Sequence, residues 1–173
     1  MASLVILTAD ELIARDVEGR GKTRRAARET PASTRVLRAF LDRGGPVPID
    51  EIVAGLLRDS AEALREALVR LDDDDLIRIR DGHIDIAYPF SASPTAFVVS
   101  LPDGRERYAC CATDALGIAP MVGQPVEIRS SCHHCGTPLK FSATPEGPGP
   151  GATGIMLWLG KRTEERCRGF DSL

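Results

Sequence analysis

Leu76-Ile77-Arg78-Ile79-Arg80-Asp81-Gly82-His83-Ile84-Asp85-Ile86 is the stretch on which the reading of the fold turns. Apolar and polar residues alternate on both sides of an Asp-Gly pair. Alternation gives each strand one apolar face, and Asp-Gly supplies the positive-φ residues that a tight hairpin turn demands. The stretch therefore predicts two antiparallel strands. Upstream the apolar period becomes helical. Val36, Leu37, Phe40 and Leu41 recur at helix spacing from Ser33, and Gly44-Gly45-Pro46 stops the run. Ile49, Ile52, Val53, Leu56 and Leu57 supply the apolar face of a second, short helix. Leu64, Ala67, Leu68 and Leu71 form the buried stripe of a third, with Ser60 as its cap. Three helices and a hairpin make a winged-helix-like module over residues 31–88.

Downstream, Pro89, Ser91, Ser93 and Pro94 read as a linker. Ala96 to Val99 and Arg107 to Ala109 read as strands about a turn at Pro102-Asp103-Gly104. A short helix starts near Asp114 and ends at Gly117 and Pro120. Val126 to Ile128 and Pro138 to Phe141 are further strands. Pro145 to Gly151 reads as a loop without regular structure, and Ile155 to Leu159 as a last strand. The fold class is thus α+β: a winged-helix-like three-helix module followed by a small, mostly β domain over residues 89–173. Residues 1–30, with Arg20, Lys22, Arg24, Arg25 and Arg28, read as a solvated N-terminal extension.

A hydrophobic fraction of 43% over 173 residues is enough for a real core. The net charge of -3 creates no global cationic field to draw nucleic acid or anionic lipid. The third helix, which would read DNA in a winged helix, carries Glu62, Glu66 and Asp72-Asp73-Asp74-Asp75 against Arg65 and Arg70. Phosphate repels such a helix, so the module reads as a packing element and nucleic acid is not an expected partner. No apolar run is long enough to span a bilayer. The start, MASLVILTADELIARD, has no basic region before its apolar patch and is not a secretory signal. The cytoplasm is the expected location.

The five cysteines are Cys110, Cys111, Cys132, Cys135 and Cys167. An odd number without an export signal points to reduced thiols, available for metal binding or catalysis, in place of a disulfide framework. Buried free cysteine as a small apolar residue is the bland alternative. The clustering between Cys110 and Cys135 argues against it. In Tyr108-Ala109-Cys110-Cys111-Ala112-Thr113-Asp114-Ala115-Leu116-Gly117, Cys111 and Asp114 are three apart and share a face of a first helical turn. A helix N-terminus is expected to favour the thiolate. A thiolate beside a carboxyl group can bind a soft metal while the acid moves a proton. In Arg129-Ser130-Ser131-Cys132-His133-His134-Cys135-Gly136-Thr137-Pro138, Cys-x-x-Cys-Gly is half of a zinc-knuckle pattern. A structural zinc site needs four ligands, and Cys110 and Cys111 can complete the set.

The order Tyr108-Ala109-x-Cys111-Ala112-x-Asp114-x-Leu116, then a strand, then Ser130-Ser131-Cys132 and Gly136-x-Pro138, resembles the alkylmercury lyases, or organomercurial lyases. The resemblance runs roughly from Pro89 to Leu159, and the helical segment before it also resembles the family's N-terminal part. It implies protonolysis of a carbon–mercury bond to give hydrocarbon and Hg(II). On that pattern Cys111 takes the mercury as a thiolate, Asp114 protonates the leaving carbon, and Cys132 is structural. The second mercury-binding cysteine is implied near the C-terminus, where Cys167 in Glu164-Glu165-Arg166-Cys167-Arg168-Gly169 is the candidate. Mercury is then substrate and product, an external thiol removes it, and no cofactor is required. Cys110, His133, His134 and Cys135 are additions to the family pattern. The competing reading is a non-catalytic soft-metal or zinc-binding protein, with Cys110, Cys111, Cys132 and Cys135 as ligands, or a winged-helix regulator.

Overall fold

Thr30 turns the chain into the first helix of the described residues. Its hydroxyl accepts the Ser33 N–H at 3.2 Å, and Pro31 occupies a position where no backbone donor is needed. Helix α1 (Pro31–Arg43) runs to Gly44, whose φ of 71° closes it on the Phe40 carbonyl at 3.0 Å. The computed structural model of the protein describes residues 30–157. The expected N-terminal extension up to residue 29, Cys167, and the end of the strand expected at Ile155 to Leu159 lie outside them.

Strand β1 (Val47–Pro48) leads into α2 (Ile49–Val53) and then α3 (Arg58–Asp73). Two expectations are corrected here. Helix α2 stops before Leu56 and Leu57, because Ala54 leaves the helical region with ψ 140° and Gly55 follows with a left-handed φ of 75°. Leu57 is left 82% exposed at the start of α3. Ser60 does not cap α3, which begins at Arg58 with no side-chain cap. The expected stripe does form: Leu68 and Leu71 are buried, with Leu64 and Ala67 packed against the core. The hairpin forms as β2 (Ile77–Arg80) and β3 (His83–Ala87), and both turn residues, Asp81 and Gly82, have positive φ. Arg78 clasps Asp85 across it through two hydrogen bonds, at 2.7 and 2.9 Å.

The segment that reads as a linker is part of the sheet. After a cis Tyr88–Pro89 peptide, β4 (Phe90–Ser91) pairs with β3 on one side and β6 (Glu106–Ala109) on the other. Its polarity is satisfied locally, since Ser91 Oγ donates to the Ser93 carbonyl at 2.9 Å. Its apolar residue, Phe90, stacks on Phe40 with ring centroids 6.3 Å apart and ties α1 to the sheet. Arg107 makes a second tie. Its buried guanidinium donates to the last carbonyls of α1, to Phe40 at 3.1 Å and Asp42 at 3.2 Å as well as to Leu41. A cation suits the negative end of the helix dipole.

The remaining elements are β5 (Phe97–Ser100), α4 (Ala112–Val122), β7 (Val126–Ser131), β8 (Pro138–Thr144), β9 (Gly147–Pro148) and a 3-10 turn at Pro150–Ala152. Among the described residues the strands form one sheet in the order β1-β3-β4-β6-β5-β7-β8-β9, with β2 on β3. Helix α4 passes through both Gly117 and Pro120, where the sequence places its end. Ile118 and Ala119, each fully buried, hold it on the core, and Gly123 with φ 68° terminates it. The stretch expected to be an irregular loop contains β9 and the 3-10 turn. Ile155 to Leu157 form no strand, and Met156 and Leu157 are exposed.

Candidate active site

Strand β6 delivers the first thiols. Its last residue, Ala109, is held between Phe90 and Phe97, and the Thr95 hydroxyl donates to its carbonyl at 2.6 Å. Thr95 had no signal in the sequence beyond being a polar residue before a strand. The chain then crosses Cys110 and reaches Cys111, the cap residue of α4. Cys111 has extended backbone and uses sulfur where a cap usually uses oxygen. Its Sγ accepts the Asp114 N–H at 3.4 Å, and its S–H donates to Asp114 Oδ2 at 2.9 Å. Cap and acidic third residue engage each other reciprocally, in the manner of a capping box. The three-residue spacing thus brings thiol and carboxyl together as the sequence predicts.

The protonation of that thiol differs from expectation. Cys111 is pushed up to about 11, first by burial and then by its hydrogen bond to Asp114 and the carboxylate charge. The backbone N–H groups of Asp114 and Thr113 pull the other way and are outweighed. A nearby negative charge and a dry surrounding both disfavour a second anion. At neutral pH the sulfur therefore keeps its proton and directs it at the carboxylate. Cys110 is 5% exposed and packs against Ile86 and Tyr88. Burial, and then the Asp114 charge, raise its thiol far above the ordinary range, against a small opposing effect of Arg78.

The second thiol segment is the turn between β7 and β8. The Cys132 N–H donates to the Thr137 carbonyl at 2.9 Å, and the Gly136 N–H returns to the Cys132 carbonyl at 2.8 Å. Gly136 has φ 72°, which explains the glycine after the second cysteine. Cys135 is exposed, with its Sγ 3.1 Å from Thr137 Oγ1. Its thiol is held below the ordinary value by the Thr137 hydroxyl and N–H and by a hydrogen bond with Cys132. His133 and His134 are exposed on the same turn. Among the described residues no three His, Cys, Asp or Glu side chains are gathered to hold a metal ion. The four-ligand zinc site drawn from Cys110, Cys111, Cys132 and Cys135 is therefore not assembled. Neither is any described helix long and apolar enough to cross a membrane.

Residues 90–170 match the family described as MerB, alkylmercury lyase. The chain is 30% identical over 124 residues to an alkylmercury lyase of Streptomyces lividans, covering 70% of this chain and 54% of that one. It is 28% identical over 114 residues to an alkylmercury lyase of Staphylococcus epidermidis, covering 65% and 50%. The chain thus spans about half the length of the curated relatives it matches. A crystal structure of the mercury-bound form of MerB2 shares the fold, with a TM-score of 0.51 and 22% identity over 64% of this chain and 53% of that one.

Proposed function

Because the chain is a divergent member of the alkylmercury lyase family, we propose that it cleaves the carbon–mercury bond of an organomercurial, with Cys111 taking the mercury and Asp114 carrying the proton. The observation that carries this reading is the 2.9 Å hydrogen bond from the Cys111 thiol to Asp114 Oδ2. Mercury is soft and prefers sulfur to oxygen or nitrogen. As the Cys111 sulfur bonds to mercury it must give up its proton, and the hydrogen-bonded carboxylate is there to receive it. The same carboxyl then delivers that proton to the departing carbon. One Hg–S bond and one C–H bond form, one S–H bond and one Hg–C bond break, and the mercury stays Hg(II) throughout. A thiol that holds its proton suits this sequence, because the proton released on capture is the one that the leaving carbon needs. Asp114 acts first as base and then as acid, the exchange of roles expected of a general acid–base group.

In this proposal Cys167 supplies the second thiolate, its sulfur replacing the anion that accompanies the organomercurial, which leaves with the Cys167 proton, and an external thiol then removes the mercuric ion. The cytoplasm, where thiols stay reduced, is the fitting location. The test is direct. Phenylmercuric acetate and excess monothiol are incubated with the purified full chain, and benzene is measured by gas chromatography. Benzene released in repeated turnovers is the expected result. Tight mercury binding without benzene would overturn the lyase reading in favour of a non-catalytic soft-metal protein.

A further inference from the structure

The Cys132–Cys135 turn has no role in the reaction above, yet the sheet brings it close to the reacting thiol. Ala109 at the end of β6 pairs with Phe97 at the start of β5. On its other side β5 pairs with β7 through Val98 and Arg129, and β7 runs on to Ser131. Strands β6 and β7 are both antiparallel to β5, so they run in the same direction and end at the same end of the sheet. Cys110 and Cys111 follow directly from one, Cys132 from the other. Only β5 lies between them, so the two backbone segments are about two strand spacings, roughly 10 Å, apart.

The turn also has the right number of ligands for one class of ion. It offers two sulfurs on one short loop, one exposed and one half-buried, and no third donor among the described residues joins them. Two thiolates fall short of the four ligands of a structural zinc site. They suffice for a soft d10 ion such as Hg(II), which is content with two sulfurs in line. The Cys111 site is different. Its neighbour Cys110 is turned into apolar contact with Ile86 and Tyr88, leaving Cys111 to face a carboxyl group.

We propose that Cys132 and Cys135 form a second soft-metal site, a two-thiolate clip that takes the mercuric ion over from Cys111. The hand-off rests on the lyase reading; the binding site does not. The transfer is ligand exchange. Each step forms one Hg–S bond and breaks another, the leaving thiolate takes up the proton that the entering thiol gives up, and nothing is oxidised or reduced. A chelating pair on one loop outcompetes separate monothiols, because binding of the first sulfur raises the effective concentration of the second.

The experiment uses the full chain with one equivalent of mercuric chloride in excess glutathione, and maps cysteine alkylation by mass spectrometry against the metal-free chain. Cys132 and Cys135 are expected to be shielded together, by tenfold or more. Unchanged alkylation of the pair, or shielding confined to Cys111, would overturn the site. In Cys135→Ser the ion should be held about 10²- to 10⁴-fold less tightly, the loss expected on removing one arm of a chelate. Unaltered retention would also overturn it. The hand-off is read after a single turnover of phenylmercuric acetate without added thiol. The ion should then lie on Cys132 and Cys135, and an ion still on Cys111 would refute the transfer. Mercuric chloride binding needs no hydrocarbon release, so failure of the lyase reading and failure of the clip give different results.

Discussion

Cys111 and Cys135 are the same residue in opposite environments. Cys111 sits at the cap of α4, half-buried, with its S–H aimed at a carboxylate, and its thiol is pushed up to about 11. Cys135 sits on an exposed turn among hydroxyl and N–H donors, and its thiol is held below the ordinary value. The contrast teaches that a helix N-terminus does not by itself make a thiolate. Its partial charge competes with desolvation and with whatever charge lies nearest. At Cys111 burial weighs most, and the hydrogen bond and charge of Asp114 add to it. Cys111 holds its proton toward Asp114, and Cys135 gives its proton up more readily than an ordinary thiol.

Replacing Cys111 should have the largest effect. Cys111→Ser removes the soft ligand that the proposed reaction requires, since a hydroxyl binds mercury poorly. Benzene release from phenylmercuric acetate should be lost, and the Cys132–Cys135 pair should still bind mercuric chloride. Retained benzene release would erase the distinction between the two regions. The stability of the two regions should also differ. Cys110→Ser puts a hydroxyl into the contact with Ile86 and Tyr88 and should cost about 1–3 kcal/mol in urea denaturation. Cys135→Ser changes an exposed side chain on a turn and should stay within about 0.5 kcal/mol. Equal losses would mean that the turn is part of the structural core. The smallest effect is kinetic. At pH 8 iodoacetamide should modify Cys135 about tenfold or more faster than Cys111, because the thiolate reacts and its fraction falls as the pKa rises. The gap should narrow as pH climbs toward about 11, where Cys111 also ionises. A Cys111 that reacts first at pH 8 would reverse the assignment.

Local signals made much of this legible. Asp81-Gly82 fixed the hairpin because few other pairs take positive φ at both positions. Cys111 and Asp114 met because a three-residue spacing on a helical turn leaves little choice. What the sequence hid came from tertiary context. Leu56 and Leu57 look like a continuing apolar face, yet Ala54 and Gly55 turn the chain away before they reach the core. Pro89 to Pro94 look like a linker, yet Phe90 is wanted beneath Phe40 and draws the segment into the sheet. Gly117 and Pro120 look like a helix end, yet the burial of Ile118 and Ala119 carries α4 past both. The proton on Cys111 was hidden for a similar reason. Spacing shows that a carboxyl is close, and only the fold shows that the sulfur is also shielded from water.

If Asp114 takes the Cys111 proton and passes it to carbon, Asp114→Asn should separate mercury capture from hydrocarbon release. The amide keeps the size and the capping ability of the carboxyl but cannot relay a proton. The variant should still capture phenylmercuric acetate through Cys111, and its benzene release, followed by gas chromatography, should be about 10²- to 10⁴-fold slower than that of the unaltered chain. Benzene released at the unaltered rate would contradict the account and leave Asp114 as no more than the cap of α4.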